Sequence, residues 1–213
     1  PEHREGFIKS IEKAVKESSE WKYEGILQKP SGEKIWFFGN FTPTPRENEI
    51  VFNGIVSDIT ERKQAEDVLR ERVKELNCLY AIADLIEKED SLEKTLQGSA
   101  DVMPNAWFHP EVACARIIFK GRQYQTGNFR ETDWRQSAGL QMDGQPVGMI
   151  DLYYLEERPL RDEKPFLREE RQLINAIAER LRRVAERKQA EIMEKLAHDT
   201  LALLNDPQDT TDA

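Results

Sequence analysis

The side chains of this 213-residue chain that can do chemistry are few: three histidines, two cysteines and some clustered carboxylates. His198 and Asp199 stand side by side in a helix-forming stretch. A helical histidine beside a carboxylate can attack a phosphoryl group, the Asp orienting or deprotonating the ring. Set against that is a plainer reading, a solvated histidine at a helix end. His109 and Cys114 are plausible neighbours in space, but a metal site needs three or four ligands and no further histidine is near. They read as a loop histidine and a strand-core cysteine, and no metal is expected. Cys78 and Cys114 lack CxxC spacing, so neither a disulfide framework nor zinc is indicated, and a reducing cytoplasm is the default. Cys78 has no basic cluster to lower its pKa and is expected to pack at an interface. Trp107, beside Phe108, and Trp134 can line a ligand pocket, although aromatic residues of this kind more often fill a core. Asp58 reads as a turn former and Thr60 as a helix N-cap, with Ile59 between them; none of the three is expected to be catalytic. The acidic pairs Glu156-Glu157 and Glu169-Glu170 read as solvated faces.

The elements that must position these residues follow from periodicity. Phe7, Ile8, Ile11, Ala14 and Val15 predict an amphipathic helix over 2–18. Trp21 to Lys29, Lys34 to Thr42 and Glu49 to Ile59 alternate as three antiparallel strands, and Pro43 and Pro45 are expected to stop pairing of the second. One helix and three aromatic strands cannot cover both faces of such a sheet, so another segment or another copy is expected to do so. Leu69, Val73, Leu76, Tyr80 and Ala83 follow 4-3-4-3 spacing on a long helix from Thr60, a short heptad seam; Leu79, Ile82 and Ile86 broaden the stripe. A second helix is expected over 91–105, opened by Asp90-Ser91. Strands follow at 111–119, 122–126, 134–142 and 147–154, with hairpin turns at Lys120-Gly121 and Asp143-Gly144. Beyond Pro159 and Pro165 a final helix over 166–204 carries the seam Ile174, Ile177, Leu181, Val184. It lapses at Lys188 and Glu191, then resumes as Met193, Leu196, Thr200 and Leu203. Residues 205–213 read as a disordered tail.

Composition agrees with small cores and long solvated helices. Hydrophobic residues are 38%, charged residues 33%, and the net charge is −9. Average chains are more apolar and less charged. The acidic balance argues against a nucleic-acid binder, and no run is apolar enough to span a membrane. One feature organises the rest. Glu61-Arg62-Lys63-Gln64-Ala65-Glu66 recurs as Glu186-Arg187-Lys188-Gln189-Ala190-Glu191. Each copy follows a strand- or core-like segment and sits in a polar helical stretch, the same connector used twice. The domains expected are 1–60, a connector helix over 61–88, a second domain over 71–185, and an exit helix and tail over 186–213, in a chain that begins at Pro1 and reads as a piece of a longer one.

The residues Trp21-Lys22-Tyr23-Glu24, Ser31-Gly32-Glu33, Trp36 and Gly54-Ile55-Val56-Ser57-Asp58-Ile59-Thr60-Glu61-Arg62-Lys63 resemble the C-terminal half of a PAS domain, with Pro1-Glu2-His3-Arg4 similar to the opening of its long helix. The resemblance covers 1–63 and lacks the family's first strands and short helices, so it implies no pocket. It does imply that Asp58, Ile59 and Thr60 couple the last strand to the connector as a signal relay. Residues 71–185, with Gly144-Gln145-Pro146-Val147-Gly148-Met149-Ile150-Asp151-Leu152, look like a small GAF domain. The segment that encloses a cofactor in larger members is short here, and the family's cyclic-nucleotide signature is reduced to Asn128-Phe129; no cofactor is expected. Leu196-Ala197-His198-Asp199 resembles a histidine-kinase phosphoacceptor helix. The same letters, Asp199-x-Leu201-x-x-Leu204-Asn205, also resemble the start of a diguanylate cyclase domain without its Thr and Gly.

The expectation is therefore an α+β chain of antiparallel sheets, partial PAS then GAF-like, joined and followed by coiled-coil helices. Its implied role is the sensory, signal-transmitting region of a prokaryotic multidomain protein, of the histidine-kinase kind, or the input of a diguanylate cyclase. The region itself is expected not to be an enzyme. The expected partners are a second copy paired through Leu69, Val73, Leu76, Ile174, Ile177, Leu181 and Val184, an output domain of the parent chain, and an unidentified small-molecule signal.

Overall fold

A computed structural model describes residues 2–17, 19–47, 49–89, 91–158 and 165–204. The class is α+β, with two antiparallel sheets and long helices. The chain divides into two compact units, Pro1–Arg70 and Glu71–Ala213. Pro1, Asp90, Pro159 and the tail over 205–213 lie outside the described residues, as do the side chains of His3, Arg4, Leu203 and Leu204.

In the first unit, helix α1 (Glu2–Lys16) precedes β1 (Trp21–Gln28), β2 (Lys34–Arg46) and β3 (Glu49–Asp58), paired in the order β1-β2-β3. Alternation puts Trp21, Tyr23, Phe37 and Phe41 on one face. Phe7 of α1 meets Trp21 and Tyr23 edge-on at 5.3 and 5.2 Å, and the Trp21 indole N–H donates to Ser10 Oγ at 2.9 Å. Pairing of β2 does not stop at Pro43: Pro43 faces Phe52 and Pro45 faces Ile50 across β3. Phe41 is the last β2 residue paired to β1. Beyond it β2 is an edge on that side, and two prolines two residues apart turn their missing N–H groups toward the same empty side. Gly54 is obligatory. A Cβ there would lie 2.0 Å from the carbonyl oxygen of Asn40. Coverage of the sheet is thin, with Ile55 and Val56 each 62% exposed.

Helix α2 (Thr60–Lys88) crosses from the first unit into the second. The second unit continues with α3 (Leu92–Val102), two 3₁₀ turns at Met103–Ala106 and Pro110–Val112, and β4 (Ala113–Phe119), β5 (Arg122–Gln125), β6 (Arg135–Met142) and β7 (Gln145–Tyr154). The expected second helix ends early, because Pro104 opens a 3₁₀ turn in its place. The strand order is β5-β4-β7-β6. Both tight turns take left-handed backbone, Lys120 and Gly121 at φ 48° and 79°, Asp143 and Gly144 at 50° and 74°, the geometry of type I′ hairpins. Helix α4 (Arg168–Leu204) runs unbroken for 37 residues, about 55 Å at 1.5 Å per residue.

One face of this sheet is packed. Ile117, Ile150 and Leu152 from the strands meet Ile82 of α2, Leu96 of α3, and Ile174, Ile177 and Leu181 of α4 in a single cluster. This corrects the expected dimer seam. Ile174, Ile177 and Leu181 are at most 1% exposed and Val184 is buried beside them, so that stripe of α4 is spent on the chain's own sheet. The seam spacing was real, but a helix on a sheet and a helix on a helix demand the same apolar stripe. Cys78 of α2 packs into this core, 5% exposed.

Candidate functional site

Asp58, Ile59, Thr60 and the repeated hexapeptide lie where helices leave the packed sheets. At the first junction β3 runs into α2. The Ile59 N–H donates to the Trp36 carbonyl at 2.9 Å, and the Trp36 N–H donates to Thr60 Oγ1 at 2.9 Å. The Thr60 N–H donates to Asp58 Oδ1 at 2.9 Å. Thr60 is thus the first helical residue and a tie to β2, not an N-cap. Asp58 is the turn former expected, and the Thr60 hydroxyl and N–H together hold its carboxyl below the ordinary range. One turn on, Arg62 and Lys63 both reach Glu24 of β1, at 2.6 and 2.7 Å. The Lys63 ammonium lies 5.5 Å from the Trp36 ring centroid, a cation–π contact. Lys63 and then Arg62 depress the Glu24 carboxyl, and Glu24 raises both cations.

The second copy of the hexapeptide lies on α4 just past Ala185, the last buried residue of that helix among those described. The internal ion pairs repeat. Arg62–Glu66 and Lys63–Glu66 (2.9 and 3.4 Å) return as Arg187–Glu191 and Lys188–Glu191 (3.7 and 3.8 Å). The tie to the sheet differs, being a bond from Lys120 in the β4–β5 turn to Gln189 at 2.6 Å.

The start of α4 is pinned by a residue the sequence reading placed in solvent. Glu170 is 3% exposed. Its carboxylate accepts from the N–H groups of Leu167 (2.6 Å) and Phe108 (2.7 Å) and from the Tyr154 hydroxyl (3.0 Å). Burial pushes the carboxyl up, and the two N–H groups and Tyr154 pull it back part of the way. The signal that could have found it is its place three residues after a helix start, the reciprocal half of a capping box.

The other sheet face holds a buried ion pair. Arg116 donates to Asp151 Oδ2 from Nη2 at 2.8 Å, and Ser137 donates to Asp151 Oδ1 at 2.6 Å. Glu131, from the segment after β5, closes on Arg116, whose guanidinium lies 4.9 Å from the Phe129 ring. Cys114 contacts the Arg130 carbonyl and Asn128 donates to the Ala113 carbonyl, so this short segment is fastened down on the sheet. Asp151 is fully buried. No sequence pattern distinguished this pair, because partners 35 residues apart meet only through strand register.

The remaining candidates scatter. Trp107 is fully buried and donates to Gln136 Oε1 at 3.2 Å; Trp134 packs at the edge of the core. Neither borders the 740 Å³ groove of this unit, so both read as structural here. Burial raises the thiols of Cys78, to about 12, and of Cys114, which leaves both protonated and unreactive at neutral pH. No metal-binding group of His, Cys, Asp or Glu occurs among the described residues. His198 is exposed on α4 beside Asp199. Leu69, Val73 and Leu76 are 65, 46 and 51% exposed. No helix among the described residues is long and apolar enough to cross a membrane. Against known proteins, no family model matches the chain, and no curated protein matches it.

Proposed function

We propose that this chain is the sensory and signal-transmitting region of a multidomain signalling protein of the sensor histidine kinase kind, a PAS-type sheet followed by a GAF-type domain. A signal biases the packing at a sheet, and the helix leaving that sheet changes register, tilt or pairing in a dimer. The observation that carries the reading is the exposed stripe Leu69, Val73, Leu76 on α2. Its 4-3 spacing puts β-branched Val73 at an a position between leucines at d, the choice that favours two parallel strands. The PAS-like residues Asp58, Ile59 and Thr60 lie at the base of that helix, bonded to β2, and support the relay assignment. Because α4 spends Ile174 to Val184 on its own sheet, the dimer seam is assigned to α2 alone.

Sedimentation velocity across a wide concentration range tests this. A dimer is expected, converted to monomer by Leu69→Lys with Leu76→Lys. A strict monomer at millimolar concentration removes the coiled-coil relay. A second reading rests on the exposure of His198 beside Asp199: phosphoryl transfer to His198 in trans. Incubation with a soluble kinase core and labelled ATP decides it, since absence of acid-labile label on His198 eliminates that role. Input to a diguanylate cyclase is the remaining alternative for the output.

A further inference from the structure

The two copies of the connector meet different surroundings. In the first, Glu24 of the sheet takes both Arg62 and Lys63, and Trp36 lies under the lysine. In the second, the lysine's counterpart Lys188 is as sheltered as Lys63, with side chains 21 and 24% exposed. Yet among the described residues Lys188 pairs only with Glu191 of its own helix. Where the sheet carboxylate should be there is a groove of 740 Å³, a size that suits a small ligand, about 300–1,000 Å³.

The groove is built from two sides. Leu92, Phe119 and Tyr124 supply an apolar wall from the sheet and α3, and Ile192 and Met193 supply the other from the projecting part of α4. Four cations border it, Lys120, Arg122, Lys188 and Lys195, against the two carboxylates Glu93 and Glu191. That local excess of positive charge stands in a chain whose net charge is −9. Arg122 is already held by Glu93 at 3.1 Å, whereas Lys188 meets Glu191 only at 3.8 Å and Lys120 bonds a neutral amide, so Lys188 and Lys195 on α4, with Lys120 opposite, keep positive charge to receive an anion.

We propose that this groove binds a small amphipathic carboxylate, an acyl or aryl acid. Its carboxylate takes the place that Glu24 fills at the first junction, and its apolar part lies between Phe119 and Met193. Such a ligand bridges the sheet to the projecting half of α4 and holds that helix on one line. The site deepens the sensory reading, but its test does not depend on it.

The chain has four methionines, so methyl-labelled methionine gives each a separate NMR signal. Titration with decanoate is expected to shift the Met193 methyl saturably, while Met103, fully buried in the core, stays in place. Lys188→Glu with Lys195→Glu should weaken binding at least tenfold. Both lysines lie on α4 past its buried segment, and an unchanged Met103 signal verifies the fold. A Met193 methyl that is unmoved at millimolar decanoate overturns the proposal. So does an equal response to decyltrimethylammonium, which has the same chain and the opposite charge. Loss of the dimer with retained decanoate binding would remove the relay and leave the site.

Discussion

The two units solve the same problem, a sheet feeding a helix, with opposite distributions of energy. In the second unit α3, α4 and the end of α2 bury Ile150, Leu152, Ile174 and Ile177 completely, and even its charged residues Asp151 and Glu170 are buried and bonded. In the first, Ala14 and Trp21, at 5 and 6% exposed, are with Pro43 the apolar side chains that are buried among those described, and surface charges on Glu24, Arg62 and Lys63 help hold the junction. Burial makes a contact costly to lose. Exposure makes it easy to remake. The same connector is therefore held by different kinds of contact in the two units.

The largest way to sharpen this contrast is Asp151→Ala. It leaves Arg116 with only the exposed Glu131 as a carboxylate partner, and breaking a buried pair costs up to about 3–5 kcal/mol. The chain's four tryptophans divide evenly, Trp21 and Trp36 in the first unit and Trp107 and Trp134 in the second. Fluorotryptophan NMR through a urea titration thus reads each unit separately. The Trp107 and Trp134 signals should unfold at lower urea and those of Trp21 and Trp36 should not move. If all four shift together, the units fold as one and the comparison fails. Next in size are the two strand glycines. A Cβ on Gly148 would meet the Ile118 carbonyl oxygen at 1.9 Å, as one on Gly54 would meet that of Asn40. Forcing extra atoms into such places costs about 1–3 kcal/mol. Gly148→Ala should lower only the Trp107 and Trp134 midpoint and Gly54→Ala only the other pair.

These glycines also mark how far the sequence could be read. Each stands in a Gly-x-x motif that invited a family resemblance, but the reason for it, a neighbouring backbone at contact distance, is visible only once strands pair. Strand alternation, the two Lys-Gly and Asp-Gly hairpins and the long helices were legible because they depend on neighbours in sequence. What was not legible depends on partners far away. Pro43 and Pro45 stay in a strand because β1 has already ended. Ile174 and Leu181 face a sheet and not a second helix, which periodicity cannot distinguish. Glu170 is buried because a loop and Tyr154 close over it, whereas its letters promise only charge.

Glu170 supplies a smaller, pH-dependent test. Its folded carboxyl is raised above the ordinary value of 4.5 by burial. As pH rises past that value the unfolded chain loses its proton first, so the folded state binds more protons and stability falls until the folded group ionises. The difference in urea midpoint between the parent and Glu170→Gln, followed by the Trp107 and Trp134 signals, should decline from acid to neutral pH. A difference that is flat or rises with pH means the three donors, Leu167, Phe108 and Tyr154, outweigh burial.

The smallest stability effect is expected at the first junction. Glu24→Gln removes the carboxylate shared by Arg62 and Lys63. The three side chains are 24 to 48% exposed, where ion pairs contribute little and are screened by salt. The Trp21 and Trp36 midpoint should therefore barely move, and any shift should vanish in high salt. The Trp36 N–H bonded to Thr60 Oγ1 is a different matter. That bond ties β2 to the first residue of α2, and without the Glu24 carboxylate the helix start rests on it, on the bonds of Asp58 and Ile59 and on the Lys63–Trp36 contact. Its amide should exchange with solvent faster in Glu24→Gln, with exchange at the Trp107 amide unchanged. Were Glu24→Gln to cost as much stability as Asp151→Ala, the first junction would be a structural clamp like the second unit's core, and the division of labour between the two units would be lost.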